Sequence, residues 1–251
     1  MGVALLGRPG SSPAPPPVPV PAAATTGHQL HDGRTAEVIP MGGPATIALA
    51  DRIRRELDGA VDAVTAFWGD SWPRHLVITV TGSPDQFVTL SGGQDLGPDI
   101  AAVTTANCVV FAPGAAGLSD ATLRIVLRHE LLHFAARAQT APDAPRWLTE
   151  GVADYVGRPP APRPGPEGAA AMARVPTDAD LETVGATRSA AYDRAWWFAR
   201  FVADRWGVDA LRRLYLAACG PGHVGIDEAV RTVLGSDLGA VLVEWRQWLG
   251  G

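Results

Sequence analysis

Residues 127–133 read Leu127, Arg128, His129, Glu130, Leu131, Leu132 and His133, inside an apolar-periodic segment that begins near Ser119. This stretch constrains the chain more than any other. Leu123, Val126, Leu127, Leu131 and Phe134 give the segment apolar faces on two sides, which marks a buried helix. Ser119 or Asp120 can cap it. On a helix, residues four apart share one face, so His129 and His133 point the same way. Buried imidazoles need polar partners or a metal ion. Two of them at this spacing, followed by an acid after the first, form a His-Glu-x-x-His pattern that can hold zinc with Glu130 as general base. The competing reading is two core histidines on a structural helix.

A zinc site of this kind needs a third protein ligand. Glu150 lies seventeen residues beyond His133, in a segment that opens on Pro145 and runs through Trp147, Leu148, Thr149, Gly151, Val152 and Ala153 to Asp154 and Tyr155. The spacing predicts a second helix over about 148–156. Two imidazoles and one carboxylate leave the ion net positive charge and an open position for water. Asp143 and Asp154 are the rival ligands. Asp143 falls in a loop. Asp154 is four residues past Glu150 and shares its face. There it can accept the other ring proton of a ligand histidine, His129 in particular. An ordinary exposed helix acid is the alternative for Asp154. A tetrahedral intermediate also calls for a donor to its oxyanion. Tyr192 is the candidate, on a helix expected from about residue 190. Tyr155 and His223 are alternatives, and a packed aromatic is the competing role for Tyr192. The cluster Trp196, Trp197 and Trp206 reads as core.

These motifs resemble the gluzincin metallopeptidases, the thermolysin- and aminopeptidase-like clan, and within it the small bacterial peptidase MA-like domain. The likeness rests on His129, Glu130 and His133, on Pro145 through Tyr155, and on Ala191 and Tyr192 through Trp206, Gly207 and Leu211. It covers roughly residues 45–218. It implies His129, His133 and Glu150 as zinc ligands, Glu130 as base, Tyr192 as oxyanion donor, and Asp154 holding a ligand histidine. It also implies a peptide or protein substrate laid along an edge strand from residues 100–112. The gap from His133 to Glu150 is shorter than in the large gluzincins. No Gly-x-Met-Glu-Asn motif argues for recognition of a free amino terminus, so an endopeptidase is expected. A hydrolase of non-peptide amides or esters, and a zincin-fold protein that binds without turnover, are the rival functions.

The organisation follows from composition along the chain. Residues 1–30 form a Pro- and Ala-rich stretch, expected as a disordered tail. Residues 31–158 are expected as a zincin-like α+β catalytic lobe with a small mixed sheet. Its elements run helix (44–67), strand (76–81), short helix, two short strands (100–105 and 108–111), motif helix and Glu150 helix. The first helix carries Ile47, Ala50, Ile53, Leu57, Val61, Val64 and Phe67 at helical spacing. Residues 159–189, rich in Pro, Ala and Gly, read as a flexible loop, a rim or flap over the cleft. Residues 190–251 read as a helical C-terminal subdomain, with helices at 208–216, 226–234 and 238–249.

Of the 251 residues, 47% are hydrophobic and 19% charged, which suffices for one sizeable core. The formal charge is -5 and no basic patch stands out, arguing against nucleic acid as partner. No segment is long and apolar enough for a membrane span. The start, Met1 to Arg8, makes a poor signal peptide, and location stays open between cytoplasm and export. Cys108 and Cys219 can form one bridge or remain two buried thiols.

Overall fold

The computed structural model describes residues 27–93, 96–97 and 99–251. Of the tail expected over residues 1–30, residues 1–26 lie outside the described residues, whereas 27–30 hold a short strand at His28–Gln29 and the buried Leu30. The strands are β1 (His28–Gln29), β2 (Thr35–Met41), β3 (His75–Thr81), β4 (Ala102–Thr104) and β5 (Val109–Phe111). The helices are α1 (Pro44–Trp68), α2 (Pro84–Leu90), α3 (Asp120–Ala136), α4 (Arg146–Gly157), α5 (Gly165–Met172), α6 (Asp178–Glu182), α7 (Ala186–Trp206), α8 (Val208–Cys219), α9 (Ile226–Leu234) and α10 (Leu238–Gly250). The architecture is α+β, with a small mixed sheet.

The sheet has the order β1-β2-β3-β5-β4. β2, β3 and β5 run parallel, whereas β1 and β4 are antiparallel edges. Parallel neighbours require a crossover, and α1 supplies the one between β2 and β3. Its buried stripe includes Leu49, Ala50, Ile53, Leu57, Val61, Val64 and Phe67. Ile47, expected on that stripe, is instead 50% exposed, because it lies about 100° around the helix from the buried Thr46, at the margin of the stripe. Gly69 ends α1 at φ 88°, a left-handed conformation, and returns its N–H to the Thr65 carbonyl.

β1 and β2 are absent from the elements expected from sequence. In β2 the buried residues Ala36 and Val38 alternate with half-buried neighbours, a two-residue period that Pro40 obscures. Residues 159–189 also differ from the expectation of an unpacked loop. They contain α5, which packs on α10, and α6, which packs on α7. Ala169 and Leu181 are buried there and anchor the two short helices.

α3 begins at the Ser119 cap, whose hydroxyl accepts the Thr122 N–H. It is packed between α1 and α4 and touches β4 and β5. Two glycines set the depth of α4. A Cβ on Gly151 would lie 2.5 Å from the Ala195 carbonyl oxygen of α7, and one on Gly157 would lie 2.9 Å from the Ile125 carbonyl oxygen of α3. α4 is therefore held between α3 and α7 at backbone contact. Beyond it, the Trp147 ring meets Phe198 edge-on at 5.2 Å, and Phe198 meets Trp245 at 5.3 Å. These aromatics bury the outer face of α4 and make the helical half continuous with the rest of the core. Trp196 and Trp197 are buried too. Cys108 and Cys219 are free thiols. Among the described residues, no helix is long and apolar enough to cross a membrane.

Candidate metal centre

α3 carries His129 and His133 one turn apart, and their Nε2 atoms converge to 3.0 Å. From α4, Glu150 brings Oε2 to 3.2 Å from the His129 Nε2 and 3.7 Å from the His133 Nε2. The three side chains are buried, and one ligand atom from each lies within 4.8 Å of the others. A small cation with four ligands at about 2.0–2.1 Å separates its donor atoms by about 3.3 Å. The observed spacings bracket that value. His129, His133 and Glu150 could therefore hold a metal ion.

The surroundings prepare the donor atoms for that role. Asp154, one turn past Glu150 on α4, places Oδ1 2.9 Å from the His129 Nδ1. With Nδ1–H donated to that carboxylate, Nε2 of a neutral His129 presents its lone pair to the cluster. Asp154 is in turn held by Arg158, whose guanidinium lies 2.6 Å from the other Asp154 carboxylate oxygen. Arg158 also reaches Asp193 of α7 at 2.6 Å. The row Asp193, Arg158, Asp154, His129 thus ties α7 to the imidazole through α4.

The protonation pattern follows from these contacts. Burial opposes charge on His129, but the hydrogen bonds and charges of Asp154 and Glu150 outweigh it and raise the pKa to about 10. His133 goes the other way, because burial dominates and favours the neutral ring. Burial works against ionised Glu150, yet the two histidines beside it hold its carboxyl well below the usual range. The cluster thus retains one proton on His129 beside a carboxylate, in the place where a cation would satisfy the same negative charge.

Glu130 leaves the helix in another direction. Its Oε2 accepts a hydrogen bond of 2.7 Å from the Thr104 hydroxyl at the end of β4, and the same hydroxyl lies 2.9 Å from the Glu130 carbonyl oxygen. The other carboxylate oxygen, Oε1, is buried with no hydrogen-bond partner among the described residues. Burial raises this carboxyl to about 7, against the opposing pull of His129 and of the Thr104 hydrogen bond. A carboxyl with that pKa exchanges protons readily near neutrality.

Tyr192 lies in the second turn of α7 rather than opening a helix, because α7 starts at Ala186. Its ring centroid is 6.4 Å from that of His129. Burial, then the charges of Glu150 and Asp154, push its phenol well above the ordinary value and keep the hydroxyl protonated as a donor. The alternatives lie elsewhere. Tyr155 packs its ring 5.9 Å from Phe67. His223 pairs with Asp143 at 3.4 Å, so this rival ligand is an exposed acid engaged outside the cluster.

Sequence reasoning did not single out Thr104 or Arg158. Arg158 had a local signal, since it stands four residues past Asp154 on α4. Thr104 had none, because its partner is 26 positions away. An apolar cavity of about 360 Å³ opens near the start of β4, lined by Phe87, Leu96, Ile100 and Pro113 among others, and shares no residue with the group of His129, His133 and Glu150. Comparison with models of known protein families finds no match, and neither does comparison with curated proteins.

Proposed function

We propose that the protein is a zinc-dependent peptidase of gluzincin type that cleaves peptide bonds within a chain. One observation carries the reading. A buried set of two imidazoles and one carboxylate stands beside a second carboxyl, Glu130, that is kept out of the set and has one oxygen without a hydrogen-bond partner among the described residues. Mere metal binding has no need of that second acid. In this reading β1–β5 with α1, α3 and α4 form a zincin-like lobe, and α7–α10 form the helical subdomain across from it.

His129, His133 and Glu150 would hold the ion, and Asp154 would fix the His129 ring. A bound zinc ion supplies Lewis-acid polarisation of a carbonyl and activation of water. Glu130 takes the proton of the attacking water through Oε1 and returns it to the leaving nitrogen. Tyr192 donates its hydroxyl to the oxygen that gains charge as the carbonyl becomes tetrahedral.

The substrate backbone has a natural place on β4. The Ala112 N–H donates to the Ala101 carbonyl, and the Thr105 N–H donates to the Cys108 carbonyl. Odd-numbered residues of this antiparallel ladder therefore bond to β5, and Ala102 and Thr104 turn their N–H and C=O outward. An extended peptide pairing there reads shape more than side chains. His133 is only 4% exposed and Ala102 is fully buried. Entry of a peptide therefore requires an opening of the packing around β4.

The test is cleavage of a peptide library by wild type, Glu130→Gln and chelator-treated wild type, with zinc content measured on each. Cleavage by untreated wild type alone supports the reading. Bound zinc with no cleavage of any peptide would replace it by a hydrolase of other amides or esters, or by a binding protein. Cleavage by metal-free protein would sink the mechanism.

A further inference from the structure

We infer that Thr104 is a positioning residue for Glu130, anchoring one carboxylate oxygen so that the other is left as the proton-transferring atom. The inference rests on the peptidase reading and adds to it a division of labour between two oxygens. It starts from the two contacts of a single hydroxyl. Oγ1 of Thr104 lies 2.7 Å from Oε2 of Glu130 and 2.9 Å from the carbonyl oxygen of the same residue. A threonine hydroxyl has one proton to donate. Both acceptors belong to Glu130, so the hydroxyl is held between the side chain and its own backbone. The carboxyl is thereby drawn against α3 at one end.

The opposite oxygen is treated differently. Oε1 is buried and has no hydrogen-bond partner among the described residues. A buried, unsatisfied carboxylate oxygen is costly unless something completes it. A reacting water would do so. If the proton goes to Oε1, Oε2 remains an acceptor and keeps its bond to Thr104 in both protonation states. If it went to Oε2, the Thr104 hydroxyl would have to turn its proton to the Glu130 carbonyl oxygen and accept from Oε2, reversing that bond at each turnover. The fixed end is thus Oε2 and the working end is Oε1.

Thr104 is also suited by its place in the fold. It ends β4, the edge strand that packs on α3. The same residue turns its backbone toward the free edge and its hydroxyl toward the base. A peptide pairing along that edge would therefore be registered against the residue that orients Glu130.

Thr104→Val removes the hydroxyl at nearly constant shape, and Thr104→Ser keeps it. Crystal structures of both variants with zinc bound decide the anchoring directly. The Glu130 carboxyl is expected to leave its position in the valine variant and to stay in the serine variant. In peptide cleavage, Thr104→Val should lower kcat by about 10- to 100-fold, the usual consequence of misplacing a reacting group, with KM and zinc content unchanged. Thr104→Ser should recover most of the rate. In a Glu130→Gln background the valine substitution should have no further effect. A Glu130 carboxyl that stays in place in Thr104→Val overturns the inference, as does a serine variant with the same displacement as valine. These structures judge Thr104 whether or not the wild type cleaves peptides, whereas absence of cleavage by wild type counts against the peptidase reading alone.

Discussion

Asp154 sets its Oδ1 2.9 Å from Nδ1 of His129, on the side of the ring away from His133 and Glu150. This one contact fixes the tautomer that leaves the His129 Nε2 free to bind a cation. Carboxylates in this role are worth about 10- to 100-fold in metal affinity. Asp154→Asn should weaken zinc binding by that factor, read by competition with a chromophoric chelator. Glu130→Gln should leave zinc affinity unchanged, because Glu130 is not one of the three converging groups.

The chelated protein should lose stability as pH rises. His129 has a folded-state pKa of about 10 against an ordinary 6.5. A raised pKa contributes stability that is fully present below 6.5 and is lost as pH climbs through 10. Thermal midpoints of chelated wild type should fall across that window, and those of chelated His129→Gln should fall less. Zinc must displace the same proton, so zinc affinity should rise with pH up to about tenfold per unit over the window. The lowered pKa of His133 acts in the opposite sense, since its stabilisation is present above the ordinary histidine value and fades as the medium becomes acid.

Tyr192→Phe should act on turnover and spare the fold. The hydroxyl sits in a buried place beside the carboxylates, and the ring packs near His129. Loss of one oxyanion donor costs about 100- to 1000-fold in kcat. Cleavage kinetics should show that fall, while zinc content and the thermal midpoint stay near wild type. An unchanged kcat would assign Tyr192 to packing alone.

Gly151→Ala should disturb the centre without touching any ligand. The added methyl would lie 2.5 Å from the Ala195 carbonyl oxygen, so α4 and α7 must move apart. Overpacking of this kind costs about 1–3 kcal/mol. The expected outcome is a lower thermal midpoint together with weaker zinc binding, because α4 carries both Glu150 and Asp154. A stability loss with unchanged zinc affinity would show that the ligand geometry survives the shift.

The proximity of His129 to His133 was legible in the sequence, because it depends only on helical periodicity. The nearness of Glu150 was legible less directly, through Pro145 and the apolar spacing after it. Ile47 shows the limit of periodicity, since it fits the spacing of the α1 stripe yet sits at its margin, exposed between the buried Thr46 and Leu49. The strands β1 and β2 were missed because one has two residues and the other contains Pro40. α5 and α6 were missed because Pro- and Gly-rich composition concealed two short helices whose stability comes from docking on α10 and α7.

The chain by itself determined the chemical inventory: two imidazoles one turn apart, an acid beside them, and a second helix with acids one turn apart. Local backbone geometry is enough to place each of these pairs on one face. Only the tertiary structure decided how the pairs meet. Gly151 and Gly157 set how closely α4 approaches α3 and α7, and this brings Glu150 to the histidines. Strand order put β4 at the sheet edge and Thr104 against Glu130. Such contacts join residues far apart in the chain, and steric fit and strand pairing select them, which no local periodicity encodes.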